Sequence, residues 1–450
     1  MLPDDELTLR KRFLYSPPDR KPLTRKVFAY YPYWAGDWRE TRFDLLTSLS
    51  YFAIAMDRAG NIVDRNGYGT PTAQALIDEA KRWGIKTSVS VTNFSNSQIA
   101  EIVGSAAIRA NAIENLVAEV RRGAVEGVSI DFESVPRSAK ADFVTFMREL
   151  TTRMHAEFPG SEVSIAMPSV DWSGAYDYDQ LVANADLLFI MCYGYHWSGG
   201  APGPLAQKLT STKWGEKSLK WTIDDYVRWG GPNVREKVIL GLPWYGYNWS
   251  AASNAVPGAR GSGGATAVFF RGMEPYIAAH GRLWDVESDT PYMMWQENGA
   301  WRQLWYDDGD SFSSKLDLVN AENLGGVGMW ALGYERGTTE MWAAIDAKLV
   351  ADGGVDGGAV VDAGAVVETD AGAVTDAGAE ADSGAVVVAD ADAGAPSPPL
   401  QHPSASVTDG KTPPEGGCAC ALEGAMPTSS FVPIVAFLGL FLIRRRQTRA

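Results

Sequence analysis

Cysteine and histidine are scarce in this chain, at 3 and 4 residues in 450. Cys192 alone falls in the body of the sequence, while Cys418 and Cys420 sit near its end. A single body cysteine excludes a disulfide framework there. His155, His196 and His280 are isolated and offer no metal-ligand spacing, so neither a metal nor another cofactor is expected. The sequence has no P-loop, no glycine-rich dinucleotide turn after a strand and no Gly-x-Ser-x-Gly elbow. Basic charge is also in deficit. The net charge is −15, of which residues 351–417 carry −11, leaving the body mildly acidic and giving no support to nucleic-acid binding. Residues 1–24 lack an apolar h-region, so as written there is no signal peptide.

Apolar residues are plentiful, at 46%, enough for a large core. Between residues 25 and 350, eight short apolar runs recur: Val27–Tyr31, Leu49–Ile54, Thr87–Val91, Gly127–Phe132, Val163–Met167, Leu187–Tyr193, Val238–Leu242 and Gly326–Leu332. Amphipathic stretches at Thr72–Trp83, Ala107–Arg122 and Ala139–Phe158 separate several of them, and Met341–Leu349 follows the last. Eight β-like runs interleaved with helices predict an α/β fold, a (β/α)8 TIM barrel. The gap between the seventh and eighth runs is too long for one helix. It holds strand-like segments at Leu283–Val286, Tyr292–Glu297 and Arg302–Asp307, which predict a small β-rich insertion over about residues 260–318.

The fourth run alternates at period 2, placing Ser129, Asp131 and Glu133 on one face and Val128, Ile130 and Phe132 on the other. Two carboxylates at the carboxyl end of a barrel strand suit acid catalysis, because burial and like charge raise a carboxyl pKa. Aromatic clusters end four other runs: Tyr30-Tyr31-Pro32-Tyr33-Trp34, Tyr193-Gly194-Tyr195-His196-Trp197, Trp244-Tyr245-Gly246-Tyr247 and Met329-Trp330. Rings that stack on sugar faces, with OH and NH groups at their edges, predict a polysaccharide groove around the carboxylates.

With these motifs in order, residues 25–350 resemble the family 18 glycoside hydrolases, the chitinase-like barrels. The fourth-strand motif of that family, Asp-Gly-x-Asp-x-Asp-x-Glu, reads Glu126-Gly127-Val128-Ser129-Ile130-Asp131-Phe132-Glu133 here. The sixth-strand Met-x-Tyr-Asp motif reads Met191-Cys192-Tyr193-Gly194. The seventh-strand motif is intact at Gly241-Leu242-Pro243-Trp244-Tyr245-Gly246, and the eighth at Gly325 to Trp330. The resemblance implies substrate-assisted retaining hydrolysis of β-1,4-linked N-acetylglucosamine polymers, an exception to the two-carboxylate pattern. It implies Glu133 as general acid, Asp131 orienting the acetamido group, Tyr193 hydrogen-bonding its oxygen, and Trp330 as the sugar floor. Tyr31, Trp34, Asn93, Ser129, Met191, Trp244 and Tyr245 complete the expected substrate-binding set. Ser129 and Gly194 stand where the family carries aspartates, which removes negative charge from the site. The wording Ile130 to Pro136 and Thr92-Asn93-Phe94 is similar to the spore-cortex and peptidoglycan-hydrolysing branch. A non-catalytic carbohydrate-binding protein on the same barrel is the rival expectation, and a transglycosylase a third.

Residues 351–417 repeat Asp-Ala-Gly and then turn proline-rich, which predicts a disordered acidic linker. Residues 418–450 resemble a surface-sorting tail of the MYXO-CTERM type: Gly417-Cys418-Ala419-Cys420, an apolar helix over 426–443, and Arg444-Arg445-Arg446. The arginines are expected to stay in the cytoplasm and the body outside, anchored to the membrane. Export without a leader is a contradiction, and the expectation is that the start as given lies too far downstream or that the leader is missing from this chain. A monomer is expected.

Overall fold

The computed structural model describes residues 20–351. The linker and tail expectations for residues 352–450 lie outside the described residues. Eight strands form a closed parallel barrel: β1 (Lys26–Pro32), β2 (Ser48–Met56), β4 (Lys86–Asn93), β5 (Gly127–Phe132), β6 (Glu162–Pro168), β7 (Leu187–Met191), β8 (Val238–Pro243) and β14 (Gly326–Trp330). Hydrogen bonding of β1 to both β2 and β14 closes it. A short β3 (Ile62–Asp64) adds antiparallel to β2. All eight barrel strands fall on the expected apolar runs. Strands buried on both faces read as near-continuous apolar segments, as in β7 and β8, and this is why those runs stood out.

Helices α1 (Pro71–Arg82), α2 (Asn96–Gly104), α3 (Ala106–Arg122), α4 (Lys140–Glu157), α5 (Tyr178–Ala183), α6 (Leu219–Gly230), α8 (Gly309–Ala321) and α9 (Glu340–Leu349) surround the barrel, and α7 (Glu274–His280) belongs to the insertion. Their starts are written locally. Thr70 caps α1, with Pro71 at its first position, and Asp308 with Ser311 forms a capping box on α8.

Side-chain size sets the barrel interior. The Phe189 ring lies 5.4 Å from Phe28 and 4.7 Å from Tyr30. A Cβ on Gly241 or Gly328 would come within 2.4 or 2.2 Å of that ring, so these two glycines make the space it fills. Opposite them the interior carries small hydroxyls. Ser90, Ser129 and Ser164 are level in register, and Ser50 Oγ lies 2.8 Å from Ser90 Oγ.

The β-rich insertion is a five-stranded antiparallel sheet ordered β10-β9-β13-β12-β11, from β9 (Tyr245–Ala251), β10 (Arg260–Phe269), β11 (Leu283–Asp285), β12 (Thr290–Glu297) and β13 (Ala300–Trp305). It begins at Tyr245 and not near residue 260. Tyr245 and Tyr247, read as the end of the seventh barrel strand, are alternating residues of β9. The sheet is fastened to the loop after β7 through Asp285, which pairs with Lys213 and accepts from Trp214 Nε1 at 2.8 Å. Among the described residues no helix is long and apolar enough to cross a membrane.

Candidate active site

The alternation of β5 decides what enters the mouth. Phe132 turns toward the helices and stacks on Phe146, with centroids 5.6 Å apart. Ser129 and Asp131 therefore face inward. Ser129 is fully buried, its Oγ 2.8 Å from the Tyr30 hydroxyl. Asp131 is only 4% exposed, and its Oδ1 has no hydrogen-bond partner among the described residues. Burial pushes its carboxyl up to about 7. Glu133 follows the strand and is 5% exposed. Ser134 then takes φ 65°, a left-handed turn that sends the chain away immediately after Glu133.

A wall of rings completes the mouth. Trp330, joined to Ala331 by a cis peptide bond, is buried with its ring 4.6 Å from Phe52, 5.8 Å from Tyr30 and 6.4 Å from Trp34. Trp34 is partly exposed, and its Nε1 donates to the Tyr334 hydroxyl at 3.1 Å. Tyr193 and Tyr245 meet edge to face at 6.3 Å, both buried. Met191, level with Gly241, shares the inward face of Phe189. The carboxyl ends of the barrel strands thus bring Ser129, Asp131, Glu133, Met191, Tyr193, Tyr245, Trp34 and Trp330 to one end of the fold.

Three expected site residues lie elsewhere. Trp244 is fully buried, its ring 5.0 Å from Trp342 and 6.1 Å from Phe312, against the outer helices α8 and α9. Only its backbone serves the mouth, donating to the Trp330 carbonyl at 2.8 Å. Tyr31 is on the face opposite Tyr30. It packs toward Tyr51, and its hydroxyl donates to the Gly36 carbonyl at 2.5 Å. Asn93 is level with the outward-facing Phe132. Its amide nitrogen donates to Met56 O and Gln98 Oε1, and its oxygen accepts from Ser95 N–H, so it ties the loop instead of facing a ligand. The residues missed were Tyr30 and Phe52 beneath Trp330, and Thr92, the register neighbour of Asp131. Strict alternation from Phe28 would have chosen Tyr30 over Tyr31.

Among the described residues no group of three His, Cys, Asp or Glu side chains is placed to hold a metal ion. The mouth holds two carboxyl side chains, Glu133 and Asp131, the latter resisting ionisation, beside an aromatic wall. Such a set can protonate a leaving oxygen and stabilise a developing cation.

Comparison with known proteins agrees with this geometry. The family model described as Glycosyl hydrolases family 18 matches residues 26–335. The cortical fragment-lytic enzyme of Bacillus anthracis is 24% identical over 308 residues, covering 64% of this chain and 65% of that protein. Di-N-acetylchitobiase of Rattus norvegicus is 29% identical over 282 residues, covering 54% of this chain and 72% of that protein. The chain thus spans less than two thirds of the length of the bacterial relative. The crystal structure of the Bacillus cereus spore cortex-lytic enzyme SleL shares the fold at a TM-score of 0.61 and 21% identity, covering 74% of this chain and 75% of that one.

Proposed function

The chain belongs to glycosyl hydrolase family 18, and on that premise we propose that it hydrolyses β-1,4-linked N-acetylglucosamine-containing polymers, chitin-type chains or the glycan of peptidoglycan. Catalysis is substrate-assisted and retaining. Glu133 gives its proton to the glycosidic oxygen as the C1–O bond breaks. The substrate's acetamido oxygen closes on C1, forming an oxazolinium ion, and the leaving chain departs as an alcohol. Glu133, now a carboxylate, takes a proton from water, whose oxygen attacks C1 and reopens the ring. Asp131 accepts from the acetamido N–H, and Tyr193 donates to its oxygen. Trp330 supports the sugar.

The observation that carries this reading is Asp131: a buried carboxyl held up to about 7, with no cation or hydrogen bond spent on its Oδ1. Positive charge forming on the oxazolinium beside it favours its ionised form, so stabilisation arises as the transition state forms. The test is product analysis with chitooligosaccharides and, separately, purified peptidoglycan, using wild type and Glu133→Gln. Cleavage of either polymer that is lost in Glu133→Gln supports the reading. Binding of both polymers without cleavage by wild type sinks it.

The proposal extends to location. The protein is exported and held at the cell surface by the tail at 418–450, as a monomer. Cell fractionation of chains with and without that tail checks the first point, and light scattering the second.

A further inference from the structure

A second aromatic hollow lies on the flank of the barrel. Trp221, Asp225 and Trp229 fall at i, i+4 and i+8 of α6, so they share one face, while Leu219, Ile223 and Tyr226 bury the other. The two tryptophans are about 12 Å apart along the helix axis. Trp172, on the loop after β6, is 71% exposed, and Trp229 is 58% exposed. The Lys217 ammonium links the set, 3.3 Å from the Trp221 ring centroid and 5.9 Å from that of Trp172. Between these groups and Tyr176 is an open cavity of about 520 Å³, within the range of small-ligand sites.

Two features separate this hollow from an ordinary surface. Two exposed indoles gathered around one hollow form an apolar patch, not singly scattered surface residues. The rings also carry polar companions at their edges: Trp229 Nε1 donates to Asp225 at 3.1 Å, and the Asp177 carboxylate at the rim pairs with Lys140 at 3.6 Å. Flat rings edged by carboxylates suit a sugar, which offers C–H faces to stack and O–H or N–H groups to donate. The hollow adjoins the catalytic strand, because the Tyr176 hydroxyl donates to the carbonyl of Phe132, next to Glu133. Since α6 runs back down the barrel, Trp221 lies toward the mouth and Trp229 away from it.

We infer that this flank hollow is an accessory glycan-binding site, taking a further stretch of β-linked, N-acetylated sugar chain outside the catalytic mouth. The choice of glycan rests on the function proposed above. The test uses the full chain carrying Glu133→Gln, assayed for retention on insoluble chitin and on purified peptidoglycan sacculi, with and without Trp172→Ala and Trp229→Ala together. The double change is expected to weaken retention about tenfold on whichever polymer is the ligand. With Glu133 restored it should slow cleavage of that insoluble polymer similarly, yet leave kcat/KM on a soluble chitotetraose within about twofold, a result that also certifies folding. Trp→Phe at both positions should keep most of the retention. Unchanged retention in the alanine variant, or no retention of the parent on either polymer, overturns the site. If the chain with Glu133 restored cleaves neither polymer but the tryptophan changes still abolish retention, the hydrolase reading fails and the binding site stands.

Discussion

The mouth of the barrel and the start of α8 each bury a carboxylate, and they treat it in opposite ways. Asp307 is 2% exposed, and its Oδ1 takes both the Lys315 ammonium and the Ser311 hydroxyl, the latter at 2.9 Å. Burial raises its carboxyl, and the buried ammonium beside it counters part of that rise. Asp131 is as deeply buried, but no cation is among the causes that set its carboxyl, and burial carries it to about 7. Equal burial therefore serves two ends. Asp307 is neutralised within the fold and fastens the returning chain to α8. Asp131 is left without a cation inside the fold, and in the proposed reaction its electrostatic demand is met by the charge that develops on the substrate.

The sharpest way to break this contrast is to disable each region and ask what is lost. Glu133→Gln keeps the shape of the mouth and, in the proposed reaction, removes its proton donor. Turnover should fall by roughly 10²–10⁴ or more, with little change in melting temperature. A large loss of stability would mean that the mouth also holds the fold together. Lys315→Met should do the converse. It strands Asp307 in the interior at a cost of about 3–5 kcal/mol, while the molecules that remain folded turn over substrate normally. Adding Asp307→Leu should restore most of that stability in a urea titration. If it does not, the pair is not the source of the loss.

Asp131→Asn probes the same contrast through pH. The folded state binds the Asp131 proton more tightly than the unfolded state, where the carboxyl titrates at the usual 3.8. Its contribution is present at low pH and is lost as pH rises from about 4 through about 7. The full swing is on the order of 4 kcal/mol. The asparagine variant should therefore gain on wild type as pH rises, and melt at a higher temperature at pH 8, although the proposed reaction expects it to turn over substrate poorly. Parallel melting curves for the two proteins from pH 4 to 8 would show that Asp131 is not strained by burial.

The fold was legible wherever one residue pattern had one structural meaning. Most of the barrel strands are runs rich in apolar residues and bounded by polar turns, so they could be found without knowing which way any side chain pointed. That same property hid the direction of individual residues. In β1, Phe28, Ala29, Tyr30 and Tyr31 are all buried, so hydrophobicity alone does not separate Tyr30, which reaches Ser129, from Tyr31, which faces the helices. Trp244 was misread for a related reason. A tryptophan after a strand end can stack on a ligand or fill a gap between helices, and the partners that decide, Phe312 and Trp342, are about 70 and 100 residues away in sequence. By contrast β5 is polar on one face only, and there the inward set was readable from alternation.

Ser129 gives the smallest effect and the finest cut. It stands where the motif this strand resembles has an aspartate, and its hydroxyl meets Tyr30 at 2.8 Å. Ser129→Ala removes one neutral hydrogen bond and should cost about 0.5–1.5 kcal/mol. Because the lost group carries no charge, the fall in stability between pH 4 and 8 should keep the wild-type profile, displaced downward by a constant amount. Ser129→Asp instead places a second carboxyl beside Asp131, and like charge raises the pKa of the pair. Its stability should then drop more steeply as pH rises, and the drop should extend to higher pH. If the alanine variant changes the shape of the profile, the Tyr30–Ser129 contact is itself tuning Asp131. If the aspartate variant does not, the mouth is wetter than its burial implies, and the contrast with Asp307 is one of partner alone.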